Sequence, residues 1–280
     1  MLAVLVLYEK EIEKAESFST LMSLLRDSLN DRLVLRHILI YDNSKQKHNF
    51  KLSDGVSGVT YFHNPLNGGT VAAYSYAFEL AKGVGASWFL LLDHDTAIPL
   101  KHLALAAYEL INIQDSNIAA LVPCVKHGDA IVSPALLNRY GSVTPTEDIK
   151  NKKLTDIVTA ISSGAFINAG ALKDIMPFPN ELWLDYVDHW IFLRFSRAKW
   201  NVKSFSAKIN HHLSVEEPSE LSASRVISIL NGEAVLLSLI GGPAKKTYYL
   251  RIAYRVFKYL RKNPNLVPPM LRWLAHRMAK

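Results

Sequence analysis

The first third of the chain consists of short apolar runs separated by polar or helix-compatible segments, a pattern that few folds accommodate. The first run, residues 2–7, is apolar up to Tyr8, as in strands that are buried on both faces of a parallel sheet. Similar runs follow at residues 33–41, 59–62 and 88–92. Helix-compatible segments at about residues 11–29 and 70–82 precede the second and fourth runs. The alternation therefore predicts an α/β fold with a mostly parallel central sheet and helices on both faces.

The rest of the chain predicts a second half of the same domain and a helical tail. Between about residues 123 and 179, proline, serine and glycine interrupt the runs. A helix-like segment follows at residues 182–197 and a strand at 202–209, and the chain beyond them is largely helix-compatible. We therefore expect an α/β domain over residues 1–222 and a C-terminal helical extension over residues 223–280.

Cysteine content and apolar segment length bear on the compartment. Cys124 is the single cysteine, so no intramolecular disulfide can form and a reducing cytoplasm fits best. The apolar run at residues 2–7 is too short for a signal peptide. Residues 226–240 contain Glu233 and fall short of the ~20 apolar residues that span a bilayer. We expect a cytoplasmic protein that can bind peripherally to the inner face of the plasma membrane.

The net charge of +7 permits attraction to phosphate-bearing partners, namely nucleic acid, anionic lipid or a diphosphate-linked substrate. The sequence has no motif of a nucleic-acid-binding module, so nucleic acid is not an expected partner. Basic residues accompany aromatic ones near the C-terminus, where the cations are Lys245, Lys246, Arg251, Arg255, Lys258, Arg261 and Lys262. This helix predicts either a contact with an anionic membrane surface or an ordinary solvated face.

Two carboxylates, Asp93 and Asp95, follow the apolar run at residues 88–92. Ligands of parallel α/β sheets bind beyond the carboxyl ends of the strands. Two carboxylates at that place can hold a divalent cation and the diphosphate that the cation neutralises. A pair at this spacing also arises by chance, but the buried strand that leads directly into it favours the functional interpretation.

A second pair of carboxylates, Asp185 and Asp188, stands at a spacing of three, which would place both on one side of a helical turn. One of them could accept a proton from a substrate hydroxyl. The alternative is that both stabilise a helix N-terminus through its macrodipole. Trp183, Tyr186 and Trp190 lie around the pair and suit stacking on a sugar or base, although aromatic residues at helical spacing also fill cores.

Two weaker features could complete such a site. His211 and His212 follow the predicted strand at residues 202–209, and a neutral imidazole there could join Asp95 on a metal, or the pair could be polar surface. The Asn67-Gly68-Gly69 segment precedes a predicted helix and would let a backbone approach a phosphate or sugar. It lacks the spacing of a P-loop or a dinucleotide fingerprint.

These motifs together resemble the inverting family-2 glycosyltransferases of GT-A fold, and especially their bacterial rhamnosyltransferase branch. The resemblance covers about residues 2–215 and rests on the order of the motifs. They are Tyr41-Asp42-Asn43-Ser44, Asn64-x-x-Asn67-Gly68-Gly69, Trp88-x-Leu90-Leu91-Leu92-Asp93-His94-Asp95, Ser163-Gly164 and Asp185-Tyr186-Val187-Asp188-His189-Trp190-x-x-Leu193-Arg194.

The resemblance implies roles for individual residues. Asp42 would contact the nucleotide base, and Asp93 and Asp95 would form the DxD motif that serves ribose, diphosphate and a divalent metal, Mg²⁺ or Mn²⁺. Asp188 would be the general base, because it stands six residues before Arg194. His211 would reach the metal. The other expected substrate contacts are Tyr8, Asn67, Gly68, His94, Ser163, Gly164, Asp185 and Trp190.

The resemblance also implies a reaction. A hydroxyl deprotonated by Asp188 would displace the nucleoside diphosphate of a UDP- or dTDP-sugar with inversion. The expected transfer is of L-rhamnose from dTDP-L-rhamnose. Its acceptor would be a saccharide or a polyprenyl-diphosphate-linked molecule in bacterial surface polysaccharide synthesis. The sequence departs from the family pattern at Trp190, a position that is commonly acidic, and at Ser214, where glycine is expected. Ala73 and Tyr76 also dilute the usual helix after Asn-Gly-Gly.

Two other functions fit parts of the sequence. An apolar strand followed by Asp-x-Asp also opens phosphohydrolases that form an aspartyl-phosphate, but Thr96 stands one place early for that motif and the pair follows the fourth strand. A carbohydrate- or nucleotide-binding module with a decayed site is the non-catalytic alternative. It predicts that Asp188 points away from Asp93 and Asp95.

Overall fold

A mixed β-sheet forms the centre of the protein. The computed structural model describes residues 1–27, 35–50, 57–150, 153, 155–210 and 221–278. Within these residues, eight strands form one sheet, seven of them in the order β11-β5-β10-β4-β1-β2-β3, with β6 paired to β5. The strands are β1 (Leu2–Leu7), β2 (His37–Asp42), β3 (Val59–His63), β4 (Trp88–Asp93), β5 (Ile118–His127), β6 (Ala130–Ser133), β7 (Ala135–Leu137), β8 (Val143–Pro145), β9 (Ile157–Thr159), β10 (Phe166–Asn168) and β11 (Asn201–Asn210).

Helices cover the sheet and continue beyond it. They are α1 (Phe18–Asp27), α2 (Gly69–Val84), α3 (Leu100–Ile111), α4 (Ala169–Ile175), α5 (Val187–Arg197), α6 (Ala223–Ile240), α7 (Gly242–Lys262) and α8 (Val267–Met278). Strands β7, β8 and β9 form a small separate sheet beside the main one. The predicted α/β fold with a mostly parallel sheet and C-terminal helices is confirmed.

The strand directions bring the predicted site residues to one edge of the sheet. Strand β1 pairs in parallel with both β2 and β4, and β2 pairs in parallel with β3. In this register Leu7 lies opposite Asp42 and Val6 lies opposite Asp93. The carboxyl ends of β1, β2 and β4 therefore meet at the same edge, where ligands of such sheets bind. Strand β10 runs antiparallel between β4 and β5.

Strand β1 shows why its run is apolar without alternation. Leu2, Val4 and Val6 enter one core cluster, which includes buried residues of α2, α4 and α5. The intervening side chains enter the cluster that contains α1 and α3. Both faces of the strand are dry, so a polar side chain at any of its six positions would lose hydration without gaining a partner.

Several predicted boundaries shift. The helix predicted over residues 11–29 is a 3₁₀ turn at Ile12–Lys14 followed by α1. The strand predicted over residues 33–41 begins only at His37, and its first two predicted residues lie outside the described part of the chain. Strands β1, β3 and β4 and helix α2 are confirmed, with ends that differ by no more than two residues from those predicted.

The prediction that Asp185 and Asp188 share a helical turn is wrong. Helix α5 begins at Val187 rather than residue 182, and Tyr186 before it has a left-handed backbone with φ of 64°. A residue in that conformation cannot continue a right-handed helix. Asp185 therefore lies in the turn before α5, whereas Asp188 belongs to the first turn of the helix.

The C-terminal helices have a core of their own and also contact the sheet domain. Leu230 of α6, Ile252 of α7 and Met270 of α8 are among the buried residues of this core. Among the described helices, α6 is the one long and apolar enough by length and composition to cross a membrane, and half of it is buried inside the protein. The core accounts for its apolar character. The division at residue 222 stays a prediction.

Candidate active site

A cleft of about 500 Å³ opens at the carboxyl edge of the sheet. Its walls come from the ends of β1 and β4, the start of α2, the segment before β10 and the residues around the start of α5. Eight of the predicted site residues line it together, namely Tyr8, Asn67, Asp93, His94, Asp95, Ser163, Asp185 and Asp188. Asp188 faces the same cleft as Asp93 and Asp95, which is the opposite of what a decayed binding module predicts.

Asp93 ends β4 and is held by the segment before β10. Its Oδ2 accepts a hydrogen bond from the Ser163 hydroxyl at 2.7 Å. Gly164 follows with φ of +78°, and a Cβ there would crowd Ile209 and Pro123. Glycine is therefore required at this position for the chain to turn and present Ser163 to Asp93. Gly164 itself does not line the cleft, so its predicted substrate contact becomes a positioning role.

Asp95 and Asp93 offer hard oxygen ligands at the floor of the cleft. In the described part of the chain, no group of three or more His, Cys, Asp or Glu residues could hold a metal ion. Two carboxylates are nevertheless what Mg²⁺ commonly takes from a protein when substrate phosphates supply further ligands. The donor set thus fits a cation bound together with a diphosphate. His211 and His212, predicted to reach this metal, lie outside the described residues.

Asp188 has the environment of a base. It lies in the first turn of α5, and its Oδ2 accepts a hydrogen bond from the Ser162 backbone N–H at 3.0 Å. Burial raises the pKa of Asp188 to about 7, the negative charge of Asp93 adds to this effect, and the Ser162 hydrogen bond opposes it. A carboxylate with a pKa near neutrality can take a proton from a hydroxyl more effectively than an ordinary aspartate.

Asp185 is engaged by the helical extension. Its Oδ1 lies 3.0 Å from a guanidinium nitrogen of Arg225 in α6. Burial raises the pKa of Asp185, and the charge of Arg225 opposes that rise. Arg225 lines the cleft together with Ser222 and Ser224. Sequence reasoning missed these three residues, because a lone arginine forty positions away carries no local signal of its partner.

The Asn67-Gly68-Gly69 loop is shaped by a tryptophan. Asn67 and Gly69 both have positive φ, and a Cβ on Gly69 would overlap the backbone carbonyl of Trp183. The Trp183 indole N–H donates a hydrogen bond to the Asn67 carbonyl at 2.7 Å. Trp183 therefore holds the loop at the cleft wall, and the glycine allows the close approach. Gly68 does not line the cleft.

Asp42 is not placed to contact a nucleotide in this structure. It is fully buried and accepts hydrogen bonds from the Tyr61 hydroxyl at 2.6 Å and the Ser44 N–H at 2.9 Å. Burial opposes ionisation, but these hydrogen bonds lower the pKa of Asp42 overall. The next residue, Asn43, lines the cleft instead, and its buried Oδ1 has no hydrogen-bond partner among the described residues.

Trp190 is also absent from the cleft, which corrects the prediction that it binds substrate. Its side chain is 4% exposed and packs on Phe178 with ring centroids 5.4 Å apart. Two residues along a helix are separated by about 200°, so Asp188 and Trp190 face opposite sides of α5. The aromatic residue at this position stabilises the core on the far side of α5 from Asp188.

The fold and the cleft can be compared with known proteins. A model of glycosyl transferase family 2 matches residues 19–176, more than half of the chain. A crystal structure of S. aureus TarS 1–349 in complex with UDP-GlcNAc aligns over 98% of this chain and 79% of that one, with 14% identity and a TM-score of 0.55. At this identity the likeness shows a shared fold.

A longer TarS crystal structure aligns over 94% of this chain with 15% identity and a TM-score of 0.49, and the present chain spans only 44% of it. No curated protein matches the sequence. The family match replaces the phosphohydrolase alternative. The chain belongs to glycosyl transferase family 2.

Proposed function

We propose that this nucleotide-sugar glycosyltransferase uses Asp188 as its general base and Asp93 and Asp95 on the donor side of the cleft. One observation carries the proposal. Asp188, a partly buried carboxylate whose pKa is raised to about 7, faces the same cleft as Asp93 and Asp95. Environments that separate the ionisation of neighbouring carboxylates mark acid–base roles in enzymes.

Asp188 would take the proton of an acceptor hydroxyl, and the resulting oxygen would attack the anomeric carbon of the donor sugar. The bond to the nucleoside diphosphate breaks as the new glycosidic bond forms, so a single displacement inverts the anomeric configuration. The Ser162 N–H donates a hydrogen bond to one carboxylate oxygen and so helps to orient Asp188 toward the substrate. The base thus performs a proton transfer at a defined atom.

The leaving diphosphate requires charge neutralisation. Asp95 with Asp93 would hold a divalent cation, Mg²⁺ or Mn²⁺, which would supply electrostatic stabilisation of the departing phosphate. The hydrogen bond from Ser163 orients Asp93 for this task. Asn43 would bind the donor through the carboxamide oxygen that lacks a partner among the described residues.

The donor is proposed to be a UDP- or dTDP-sugar. The TarS structure that shares the fold contains UDP-GlcNAc, which supports a pyrimidine nucleotide. The order of the motifs in the sequence supports dTDP-L-rhamnose, with a saccharide or lipid-linked acceptor in bacterial surface polysaccharide synthesis. Both donors present the same diphosphate to Asp93 and Asp95.

A peripheral position on the cytoplasmic face of the membrane fits the outer surface of α7. Leu250 and Tyr254 are 72% and 71% exposed, and Phe257 is 53% exposed on the same helix face. Basic residues flank them, as in helices that lie on anionic bilayers. Cosedimentation with anionic vesicles at low salt should fall when Leu250 and Phe257 are both replaced by serine. Equal sedimentation of this variant and the wild type would refute the membrane contact.

A thermal-shift screen of nucleotide sugars, with and without Mn²⁺ or Mg²⁺, tests the function. A ligand that binds only the folded protein raises the melting temperature by mass action. We expect UDP- or dTDP-sugars to raise it only when the cation is present. If no nucleotide sugar raises the melting temperature under either condition, the proposed function is wrong.

A further inference from the structure

A second cavity, of about 860 Å³, lies between α7, the turn from β7 to β8 and the segment before α5. We call it the basic groove. Asp185 and Tyr186 line both the basic groove and the active-site cleft. The two cavities therefore adjoin at the turn that precedes α5, two residues from Asp188. The family model ends at residue 176 and does not reach this part of the chain.

The wall formed by α7 carries surplus positive charge. Glu233 of α6 is 3% exposed and lies 2.6 Å from a guanidinium nitrogen of Arg255 and 3.8 Å from one of Arg251. One carboxylate thus serves two guanidinium groups. Lys258 lines the same groove, is exposed, and has no carboxylate partner among the described residues. An anion entering the groove would meet cations that are not fully neutralised.

The groove is also held in shape. Arg251 donates hydrogen bonds to the backbone carbonyls of Tyr140 at 2.7 Å and Gly141 at 3.2 Å. These contacts fix the turn between β7 and β8 against α7 across more than 100 residues of sequence. Arg251 therefore links the turn to α7 and also lies near Glu233 of α6.

The outer end of the groove is apolar and exposed. Leu250 and Tyr254 line the groove and also belong to the solvent-exposed face of α7. The groove therefore runs from an exposed apolar surface, past Arg251, Arg255 and Lys258, to the cleft that contains the base. This sequence of environments, apolar then cationic then catalytic, matches a molecule with a lipid, an anionic group and a sugar in that order.

We infer that the basic groove binds the diphosphate of a lipid-linked acceptor, with its sugar hydroxyl directed toward Asp188. The phosphate oxygens accept hydrogen bonds from Lys258 and the guanidinium groups, and such charge-assisted bonds are short and strong. The lipid lies toward Leu250 and Tyr254. This inference rests on the proposed function and specifies the class of its acceptor, which the reaction alone leaves open.

Farnesyl diphosphate is a suitable probe, titrated calorimetrically into the full-length protein without divalent cation. Under that condition Asp93 and Asp95 repel a diphosphate, so binding in the donor site is suppressed. Loss of a hydrogen bond to a charged group corresponds to about a tenfold or greater change in Kd. We expect Lys258→Glu to weaken binding by about tenfold or more. Lys246→Glu makes the same charge change on α7 outside the groove, and we expect less than about a twofold effect.

The controls separate the parts of the inference. If both variants weakened binding equally, the basic groove would not be the binding site, because only the overall charge of the protein would then matter. If farnesol bound as tightly as farnesyl diphosphate, the groove would not recognise a diphosphate. If inorganic pyrophosphate bound as tightly, the lipid would contribute nothing to binding. Nucleotide binding with Mn²⁺ is measured in parallel. If nucleotides bind normally but Lys258→Glu does not weaken binding of farnesyl diphosphate, the basic groove is not the diphosphate site and the proposed function stands. If farnesyl diphosphate binds as expected but no nucleotide binds, the proposed function is wrong and the groove site stands.

Discussion

The two walls of the cleft are built in different ways. The wall at the sheet edge consists of residues at or just after the ends of β1, β2 and β4. Strand register alone therefore brings Tyr8, Asn43 and Asp93 together. The opposite wall depends on α6, through the ion pair of Arg225 with Asp185 and the close approach of Gly232 to the Asp185 carbonyl. The proposed donor side is thus positioned by backbone pairing, whereas the surroundings of the proposed base depend on tertiary packing.

The largest expected effect comes from Asp188 on the second wall. Asp188→Asn removes the proposed proton acceptor and leaves the sheet edge intact. We expect turnover to fall by ~10²-fold or more, the usual scale for loss of a general base, while nucleotide affinity is retained. The measurement is transferase rate with the true acceptor beside nucleotide affinity.

Asp185→Asn is the matched control, because its carboxylate is already paired with Arg225. We expect a smaller loss of turnover from this variant. Near-normal turnover of Asp188→Asn with an inactive Asp185→Asn would reverse the assignment of the base, and activity in both variants would end the carboxylate-base mechanism.

Asp95 tests the first wall in the complementary way. A neutral amide is a poorer ligand for a hard cation than a carboxylate. Asp95→Asn should therefore weaken cation-dependent nucleotide binding by about tenfold or more. Calorimetry with UDP or dTDP, with and without Mn²⁺, measures this effect. If the cation increases nucleotide affinity as much in the variant as in the wild type, Asp95 does not hold it.

The raised pKa of Asp188 predicts opposite pH dependences for activity and stability. The protonated acid cannot accept a proton, so turnover should fall about fivefold between pH 7 and pH 6 and rise toward a plateau above the pKa of about 7. The pKa in the folded protein exceeds the ordinary value of 3.8. The contribution of Asp188 to stability is therefore complete below about pH 4 and is lost as the pH rises through 7.

Asp188→Asn should accordingly melt at a higher temperature than the wild type at pH 8, with a smaller difference at pH 5. Melting curves at the two pH values measure this directly. A wild type whose melting temperature relative to the variant does not change with pH would show that Asp188 ionises as an ordinary aspartate.

The smallest expected effect is on the packing of α6. A Cβ on Gly232 would overlap the Asp185 carbonyl and crowd Tyr186. Gly232→Ala should cost ~1–3 kcal/mol of stability, as overpacking does, and lower turnover a few-fold without changing nucleotide affinity. Gly83→Ala in α2 is the control, since no atom lies within 4 Å of its added Cβ. A Gly232→Ala variant that matches this control in turnover and melting temperature would show that α6 does not position the base.

The same contrast explains how much could be predicted from the sequence. The run at Leu2–Leu7 and the run before Asp93 indicated the buried strands, and the ends of parallel strands lie together wherever the chain goes next. The left-handed Tyr186 could not be foreseen, so Asp185 was placed on the wrong element. Arg225 was missed because its partner is distant in sequence.

Asp42 and Trp190 show a different limit. Both occupy motif positions. At the end of a strand, however, the strand's twist and its last residue decide which of two neighbouring polar residues faces the cleft. The Tyr61 hydroxyl on β3 donates a hydrogen bond to Asp42, and Asn43 lines the cleft instead. Phe178 packs on Trp190 in the core. A motif fixes residue type and order, whereas side-chain direction is decided by the neighbours that packing supplies.

The close contact between Gly232 of α6 and the Asp185 backbone limits where the chains of two such enzymes can be joined in a chimera. Because α6 presses directly on the turn before α5, a recombinant junction placed between them would pair a helix from one parent with a turn shaped by another. The C-terminal helices and the turn at residues 182–186 should therefore be inherited as one block. A crossover within β11 would separate the turn from α6. The α6 helix of one parent would then pack against the turn of the other parent, close to Asp188.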